Sequence, residues 1–265
     1  DVDPIFDAEG NSGAGTKFIP VFFVTVACGI TSGFHSTQCT LIGRSVEHEK
    51  EGRTVFYGMM ILEGLIAMIW AAAAMGLYNS GSTAGATAAV GEVAKGLLGP
   101  VGGIIAILGV IVLPITSGDT ALRSLRMAIS DALHLDQKNV KKRLGLAAVI
   151  FILVAVILVF AKSNAEGFNI LWRYFAWSNQ TLSLFAFIAI SVWMFENGKA
   201  KFVWMPLIPG AWYAFVTITY IVNATIGFHV PWGASYVIGV IAAAGYVALI
   251  IWYGKKRAAR KAQNA

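Results

Sequence analysis

Polar side chains stand in the middle of apolar runs of this sequence. Glu63 lies near the centre of the run 54–78, and the tetrapeptide SNQT at 178–181 lies near the centre of the run 170–195. A carboxyl group inside a bilayer is costly, marks a functional site by default, and often belongs to a proton relay. Neighbouring amides and hydroxyls offer hydrogen bonds to a polar ligand or a water path.

A second polar signal is the tetrapeptide ITSG, which occurs at 30–33 and again at 115–118, each time late in an apolar run. The first copy is followed by FHSTQ at 34–38, and the second copy, preceded by Pro114, by Asp119-Thr120. At 1.5 Å per residue, both copies lie about 20–24 Å along their segments, inside a hydrocarbon layer of about 30 Å. Broken helices at that depth build the binding sites of secondary transporters, so the repeat predicts two interrupted helices that face one cavity.

These signals predict a substrate site formed by the two interruptions and the amides of the run 170–195. Its candidate residues are Thr31, Ser32, Gly33, His35, Gln38, Thr116, Ser117, Gly118, Asp119, Asn179 and Gln180. Glu63 is the candidate for proton coupling.

Each signal also has a structural alternative. Glu63 is equally explained as a protonated contact between helices, and the amides as interhelical hydrogen bonds. Serine and glycine are common where membrane helices touch, and a shared tetrapeptide of common residues arises by chance.

Cys28, His35 and Cys39 are weak metal candidates, because buried cysteine usually behaves as a small apolar residue. We expect no metal and no cofactor. Since HExxH, GxSxG and phosphate-binding glycine loops are absent, we also expect no enzyme activity.

The composition requires a membrane around most of the chain. Of the 265 residues, 57% are hydrophobic and only 13% are charged, against about 25% charged residues in soluble domains. We predict an all-α integral membrane protein with about seven transmembrane helices, two of them interrupted. The predicted segments are 18–36, 54–78, 100–118, 144–162, 170–195, 203–226 and 233–253.

The remaining residues are assigned around this core. Residues 1–16 are expected to be an extracytoplasmic polar segment, 17–254 the transmembrane helical domain, and 255–265 a basic cytoplasmic tail. The loop 79–99 is predicted to hold at most one short interfacial helix. The spacing of leucine and arginine in 119–137 predicts an amphipathic helix along the membrane surface.

The basic residues indicate the orientation of the chain. The loops 44–53, 119–143 and 196–202 and the tail 254–265 hold 3, 6, 2 and 5 lysines and arginines, whereas the loops on the other side hold only Lys95 and Lys162. Basic residues accumulate in cytoplasmic loops, so the N-terminus is expected outside and the C-terminus inside. The net charge of +6 thus indicates anionic lipid rather than nucleic acid as the partner.

Three segments resemble the carbon starvation protein family (CstA). They are CGITSGFHSTQCTLIGRSVEHEKEGRTVFYGMMILEGLIAMIWAA at 28–72, LPITSGDTALRSLRMAISD at 113–131 and LWRYFAWSNQTL at 171–182. The resemblance implies a transporter of the cell inner membrane that is induced by carbon starvation and takes up peptides or pyruvate with protons. Family members are longer, so the chain resembles a C-terminal part whose partner is an N-terminal transmembrane part of the same protein. We do not expect this part to transport alone.

Two other functional classes are alternatives to a transporter. A sensory or signalling membrane module would contain the same breaks for structural reasons only. Seven helices with an outside N-terminus also fit a receptor or a retinal protein, but the segment 233–253 contains no lysine for a Schiff base. Saturable, proton-dependent uptake would separate a transporter from a signalling module.

The predicted orientation can be tested by labelling. In a variant without Cys28 and Cys39, single cysteines at Ser82 and Lys138 should react with a membrane-impermeant thiol reagent from opposite sides, Ser82 from outside and Lys138 only after the membrane is opened. Labelling of both positions from outside would contradict the predicted segment order.

Overall fold

The computed structural model describes residues 18–25, 31–82, 86–164 and 167–263. Its main helices are α1 (Phe18–Thr25), α2 (Gly33–Gly43), α3 (Met59–Asn79), α4 (Ala86–Ala132), α5 (Val140–Ser163), α6 (Gly167–Glu196), α7 (Trp204–Asn223) and α8 (Trp232–Gln263). Short 3-10 turns at Glu49–Glu51 and Ala200–Phe202 and a π-helix at Arg53–Gly58 complete the order. No strand occurs in these ranges. Residues 1–16, predicted to be an extracytoplasmic segment, and Cys28 lie outside them.

Six of these helices are long and apolar enough to cross a membrane. They match six of the predicted segments, from 54–78 to 233–253, and confirm an all-α membrane protein. The remaining segment, 18–36, is divided: α1 ends at Thr25, Thr31 and Ser32 are not helical, and α2 begins at Gly33. The first predicted interruption is therefore present.

The second predicted interruption is wrong. Residues 115–118 lie inside α4, which continues through Pro114 to Ala132 without a break. Proline is tolerated inside membrane helices. The threonine hydroxyls of this stretch bond within α4 itself: Thr116 Oγ1 donates to the carbonyl of Leu113 at 2.8 Å, and Thr120 Oγ1 donates to the carbonyl of Thr116 at 3.1 Å. The predicted surface helix at 119–137 is also wrong as a separate element, because its first part belongs to α4.

The irregular point of α4 is Gly99, with φ 68° and ψ −175°. Only glycine adopts this conformation readily, and the following Pro100 disfavours the α conformation at position 99. The part of α4 from Ala86 to this kink is a short helix within the predicted loop 79–99. Its position at the membrane interface stays a prediction.

The chain forms two compact units, residues 1–36 with 156–265, and residues 37–155. In the first unit α7 and α8 pack along each other, α6 packs against both, and α1 lies against α7 and α6. A buried cluster of Val24, Ala176, Val216 and Tyr220 joins α1, α6 and α7. This unit positions the break between α1 and α2.

The basic residues near the C-terminus are helical. They belong to α8, which continues to Gln263. Arg257 Nε donates to Glu196 Oε1 at 2.6 Å, and Lys261 Nζ donates to Asn197 Oδ1 at 3.1 Å. Both contacts attach the last turns of α8 to the end of α6.

The second unit, 37–155, exposes much of its apolar surface. No residue of α3 is buried, and Ile69 on α3 and Ile105 on α4 are 67% and 66% exposed. A contiguous apolar surface of this kind is covered by lipid or by another protein segment. The exposure fits helices that lie in a membrane.

The contact between α7 and α8 in the first unit depends on a small residue. A Cβ atom at Gly239 would overlap the hydroxyl of Thr219 and would lie 3.1 Å from the carbonyl oxygen of Phe215. Membrane helices associate largely through such close packing of small residues. Gly245, on the same helix, faces open space.

We therefore expect Gly239→Ala to lower the free energy of unfolding by about 1–3 kcal/mol, the usual effect of an overpacked contact. Gly245→Ala is the matched control and should leave it nearly unchanged or slightly raised. Thermal unfolding in detergent micelles measures both. Equal melting temperatures for the two variants would contradict the proposed packing.

Candidate functional site

The candidate site is built around the break between α1 and α2. A helix end leaves backbone N–H and carbonyl groups without helical partners, and a membrane core offers no water to replace them. The first unit supplies partners for both sides of this break from two neighbouring side chains of α6, Asn179 and Gln180.

Asn179 holds the start of α2. Its Oδ1 accepts a hydrogen bond from the Phe34 N–H at 2.9 Å and lies 3.2 Å from Ser32 Oγ. Its Nδ2 donates to Ser32 Oγ at 3.1 Å, and Phe34 N–H also reaches that oxygen at 3.2 Å. Ser32 is thus the N-cap of α2, and Asn179 is a second cap from a different helix. The side chains of both are buried.

Gln180 holds the end of α1. Its Nε2 donates to the carbonyl of Phe23, in the last turn of α1. The side chain is completely buried, but its Oε1 makes no hydrogen bond within the described residues. Asn179 therefore accepts from the N–H side of the break, and Gln180 donates to the carbonyl side. Gln180 Oε1 remains without a hydrogen bond.

The glycine of the first ITSG allows this arrangement. A Cβ at Gly33 would overlap the backbone oxygen of Asn179 and the Cβ of Leu182. With glycine, the first turn of α2 lies directly against α6, so the Ser32 hydroxyl and the Phe34 N–H reach Asn179. The glycine has a steric role in this copy of the motif.

Tyr213 of α7 adds a second unused polar atom at the break. Thr31 lies beside its phenol, but Tyr213 Oη forms no hydrogen bond of normal geometry within the described residues. The Tyr213 ring also lies 6.5 Å from the ring of Phe23. A buried polar group without a partner costs about 1–3 kcal/mol, so Gln180 Oε1 and Tyr213 Oη indicate a place for water or a polar ligand.

The structure brings together five of the predicted site residues: Thr31, Ser32, Gly33, Asn179 and Gln180. His35, half-buried, lies in the first turn of α2 of the same unit, whereas the half-buried Gln38 on that helix belongs to the second unit.

The other candidates belong to the second unit, 37–155. Thr116 and Asp119 are exposed on α4, with Ser117 and Gly118 half-buried between them. Asp119 Oδ2 lies 3.4 Å from Arg123 Nη2, one turn further along α4. Glu63 is half-buried on α3.

Sequence reasoning missed Tyr213. A tyrosine in an apolar segment is usually an interfacial anchor, and nothing in the local sequence 203–226 distinguishes Tyr213 from Tyr220. Only its contact with Thr31, far away in the chain, reveals it.

These features define a multi-pass helical membrane protein with a broken helix. The model of the carbon starvation protein CstA family matches residues 4–96 and 82–220, and the chain belongs to this family. The resemblance seen in the sequence is thereby confirmed.

Similar proteins extend the comparison. A peptide transporter CstA of Mycobacterium tuberculosis is 27% identical over 81% of this chain and 38% of its own length, and one of Escherichia coli is 22% identical over 80% of the chain and 40% of its length. An uncharacterised protein of Haemophilus influenzae is 39% identical over 48% of the chain and 86% of its length. The chain thus spans about two fifths of the two named relatives. No solved structure matches.

The cap on α2 can be tested with Asn179→Leu. This substitution keeps the volume but removes the nearer of the two acceptors of the Phe34 N–H and the amide partner of Ser32. We therefore expect a loss of about 1–3 kcal/mol in the free energy of unfolding. Amide hydrogen exchange at 33–36 should accelerate in the same variant.

The matched control is Thr181→Val on the same helix. The Thr181 hydroxyl bonds to the Trp177 carbonyl of α6 itself at 2.8 Å, and such bonds contribute little to helix stability. Unchanged exchange at 33–36 in Asn179→Leu would show that α2 does not depend on this cap.

Proposed function

We propose that the chain is part of a secondary active transporter that takes up peptides or pyruvate by proton symport across the cell inner membrane during nutrient starvation. Support comes from membership of the CstA family and from relatives named peptide transporters. The distribution of basic residues supports an outside N-terminus and a cytoplasmic C-terminus. This function involves no enzymatic step and no nucleic acid.

The observation that carries the proposal is the break between α1 and α2. Its backbone ends are held by side chains of α6. Beside it, Gln180 Oε1 has no hydrogen-bond partner within the described residues, and the Tyr213 hydroxyl has Thr31 beside it but no hydrogen bond of normal geometry. Irregular backbone at membrane depth is tolerated where it is buried in protein or lines a cavity. Secondary transporters place their substrates at such discontinuous helices.

The chemistry of the two unused atoms favours a peptide. Gln180 Oε1 is a hydrogen-bond acceptor, and the Tyr213 hydroxyl is a donor as well as an acceptor. A peptide unit carries one N–H donor and one carbonyl acceptor, so it matches such a pair. Pyruvate offers acceptors only and would leave the Gln180 oxygen without a partner.

The other predicted residues are proposed to contribute along the substrate path. They are His35, Gln38 and the second motif, Thr116, Ser117, Gly118 and Asp119. No cofactor or metal takes part in the proposed transport.

Glu63 is proposed to couple substrate to protons. An ionised carboxylate is expensive in a membrane, so a glutamate on α3 that meets water alternately on the two sides can take up and release one proton per cycle. The alternative remains a protonated contact between helices. The two roles predict different behaviour of the glutamine variant, because glutamine keeps the shape but cannot titrate.

The proposed transporter includes more chain than these 265 residues. The match to only 38% and 40% of the two named relatives supports further chain in the transporter. We propose that this partner is an N-terminal transmembrane part of the same protein. Exposed apolar side chains of α3 and α4 are suited to contact it or lipid.

The test uses the complete protein in cells that lack other uptake systems for peptides and pyruvate. We expect the parent to accumulate a labelled dipeptide when a pH gradient is imposed and to lose accumulation when a protonophore is added. Glu63→Gln should abolish this accumulation while exchange of labelled for unlabelled substrate continues.

The matched control is Glu92→Gln, which removes an exposed carboxylate that accepts a hydrogen bond from Ser82, and it should accumulate substrate normally. If Glu63→Gln accumulates as the parent does, the coupling role is wrong. If the parent shows no saturable uptake of dipeptide or pyruvate at matched expression, transport is wrong and the signalling alternative is favoured.

A further inference from the structure

The second unit contains a cavity of about 520 Å³ between α4 and α5. Both helices line it with arginine and with apolar side chains. They contribute Asp119, Leu122, Arg123 and Arg126 from α4 and Arg143, Ala147, Ile150 and Phe151 from α5. This volume lies in the range of small-molecule sites, about 300–1,000 Å³.

The charge of the cavity is unbalanced. Arg123 is the one arginine of the three with an ion pair in the described ranges, its Nη2 lying 3.4 Å from Asp119 Oδ2. Arg126 and Arg143 form no ion pair with any described residue. Three positive charges thus face a single negative one. Guanidinium groups bind phosphate and carboxylate in a planar, two-pronged geometry, so the cavity is suited to an anion.

The apolar part of the cavity indicates what kind of anion. Ile150 and Phe151 follow Arg143 by two turns of α5, about 11–12 Å along the axis, and Phe151 is 58% exposed. Helix α5 is strongly apolar along most of its length, and very little of this apolar stretch is buried. A ligand with a charged head and a hydrocarbon chain would use both the arginines and this face.

The predicted position of the arginines, near the cytoplasmic side of the membrane, agrees with a ligand that has a charged head and a hydrocarbon chain. Arg143 lies in the first turn of α5, and Arg126 and Arg123 lie about 9–14 Å before the end of α4. All three belong to the region 119–143, which holds six lysines and arginines and is predicted to be cytoplasmic. Anionic phospholipids enrich the cytoplasmic leaflet, and basic pockets between membrane helices on that side bind their headgroups.

We propose that the cavity between α4 and α5 binds the phosphate headgroup of an anionic phospholipid. Arg126 and Arg143 contact the phosphate, Arg123 completes the basic rim, and an acyl chain lies along α5 beside Phe151. This proposal rests on residues of the second unit alone. Its lipid contacts are the arginines and Phe151, so it does not depend on the transport role proposed for Asp119.

The test is native mass spectrometry of the complete protein, released from micelles that contain phosphatidylglycerol, phosphatidylcholine or inorganic phosphate. We expect one phosphatidylglycerol to be retained about tenfold more tightly than phosphatidylcholine. Combined Arg126→Gln and Arg143→Gln substitutions should weaken its retention about tenfold or more, because they remove the charge-assisted guanidinium contacts to the phosphate.

Two control variants separate the possible outcomes. Lys141→Gln and Lys142→Gln together remove the same charge from the start of α5 outside the cavity lining, and should retain phosphatidylglycerol like the parent. Phe151→Asn should weaken retention of phosphatidylglycerol but not of phosphate.

Three results would overturn the proposal. They are equal retention of the two lipids, a loss as large in the lysine variant as in the arginine variant, and phosphate retained as tightly as phosphatidylglycerol. The last result would indicate a site for a soluble anion.

Discussion

A break in a membrane helix leaves backbone N–H and carbonyl groups that need other hydrogen-bond partners. The packing of the first unit depends on the side chains that supply them. Asn179 and Gln180 are adjacent on α6, but their side chains point about 100° apart around the helix. One reaches the Phe34 N–H of α2, and the other reaches the Phe23 carbonyl of α1. A single turn of α6 therefore holds both sides of the break, and only glycine at position 33 lets α2 approach closely enough.

A side chain of a neighbouring helix also supplies a hydrogen bond at the irregular point within α1. Ile19 is not helical, with φ −96° and ψ 124°, as expected before the proline at position 20. Its carbonyl accepts a hydrogen bond from the Tyr236 hydroxyl of α8. The Phe23 ring packs edge-on against Trp212 of α7 at 5.1 Å. Helices α6 and α8 thus supply hydrogen bonds that α1 cannot make for itself, and α7 packs against the same segment.

Hydropathy was sufficient to predict the long helices, because twenty apolar residues in sequence have few other stable conformations than a membrane helix. It was not sufficient to separate the two ITSG copies. At Ser32 the serine and glycine meet Asn179, 147 residues away, whereas at Thr116 the hydroxyl bonds to the preceding turn of α4. A local motif does not contain its distant partner. The kink at Gly99 has a local cause, since a glycine before a proline can adopt positive φ. The sequence around it is rich in glycine, however, so Gly99 could not be distinguished from its neighbours.

The sequence also left open whether the amides bind substrate or hold helices together, and the structure shows both amides in contact with helix ends. Asn179 uses both ends of its amide to hold Ser32 and Phe34, whereas Gln180 uses only its Nε2. The bond to the Phe23 carbonyl fixes the rotamer of Gln180 and therefore the direction of its Oε1. An acceptor oriented in advance loses little entropy when it binds a ligand. The hydrogen bond that stabilises the break is thus the one that prepares the free oxygen beside it.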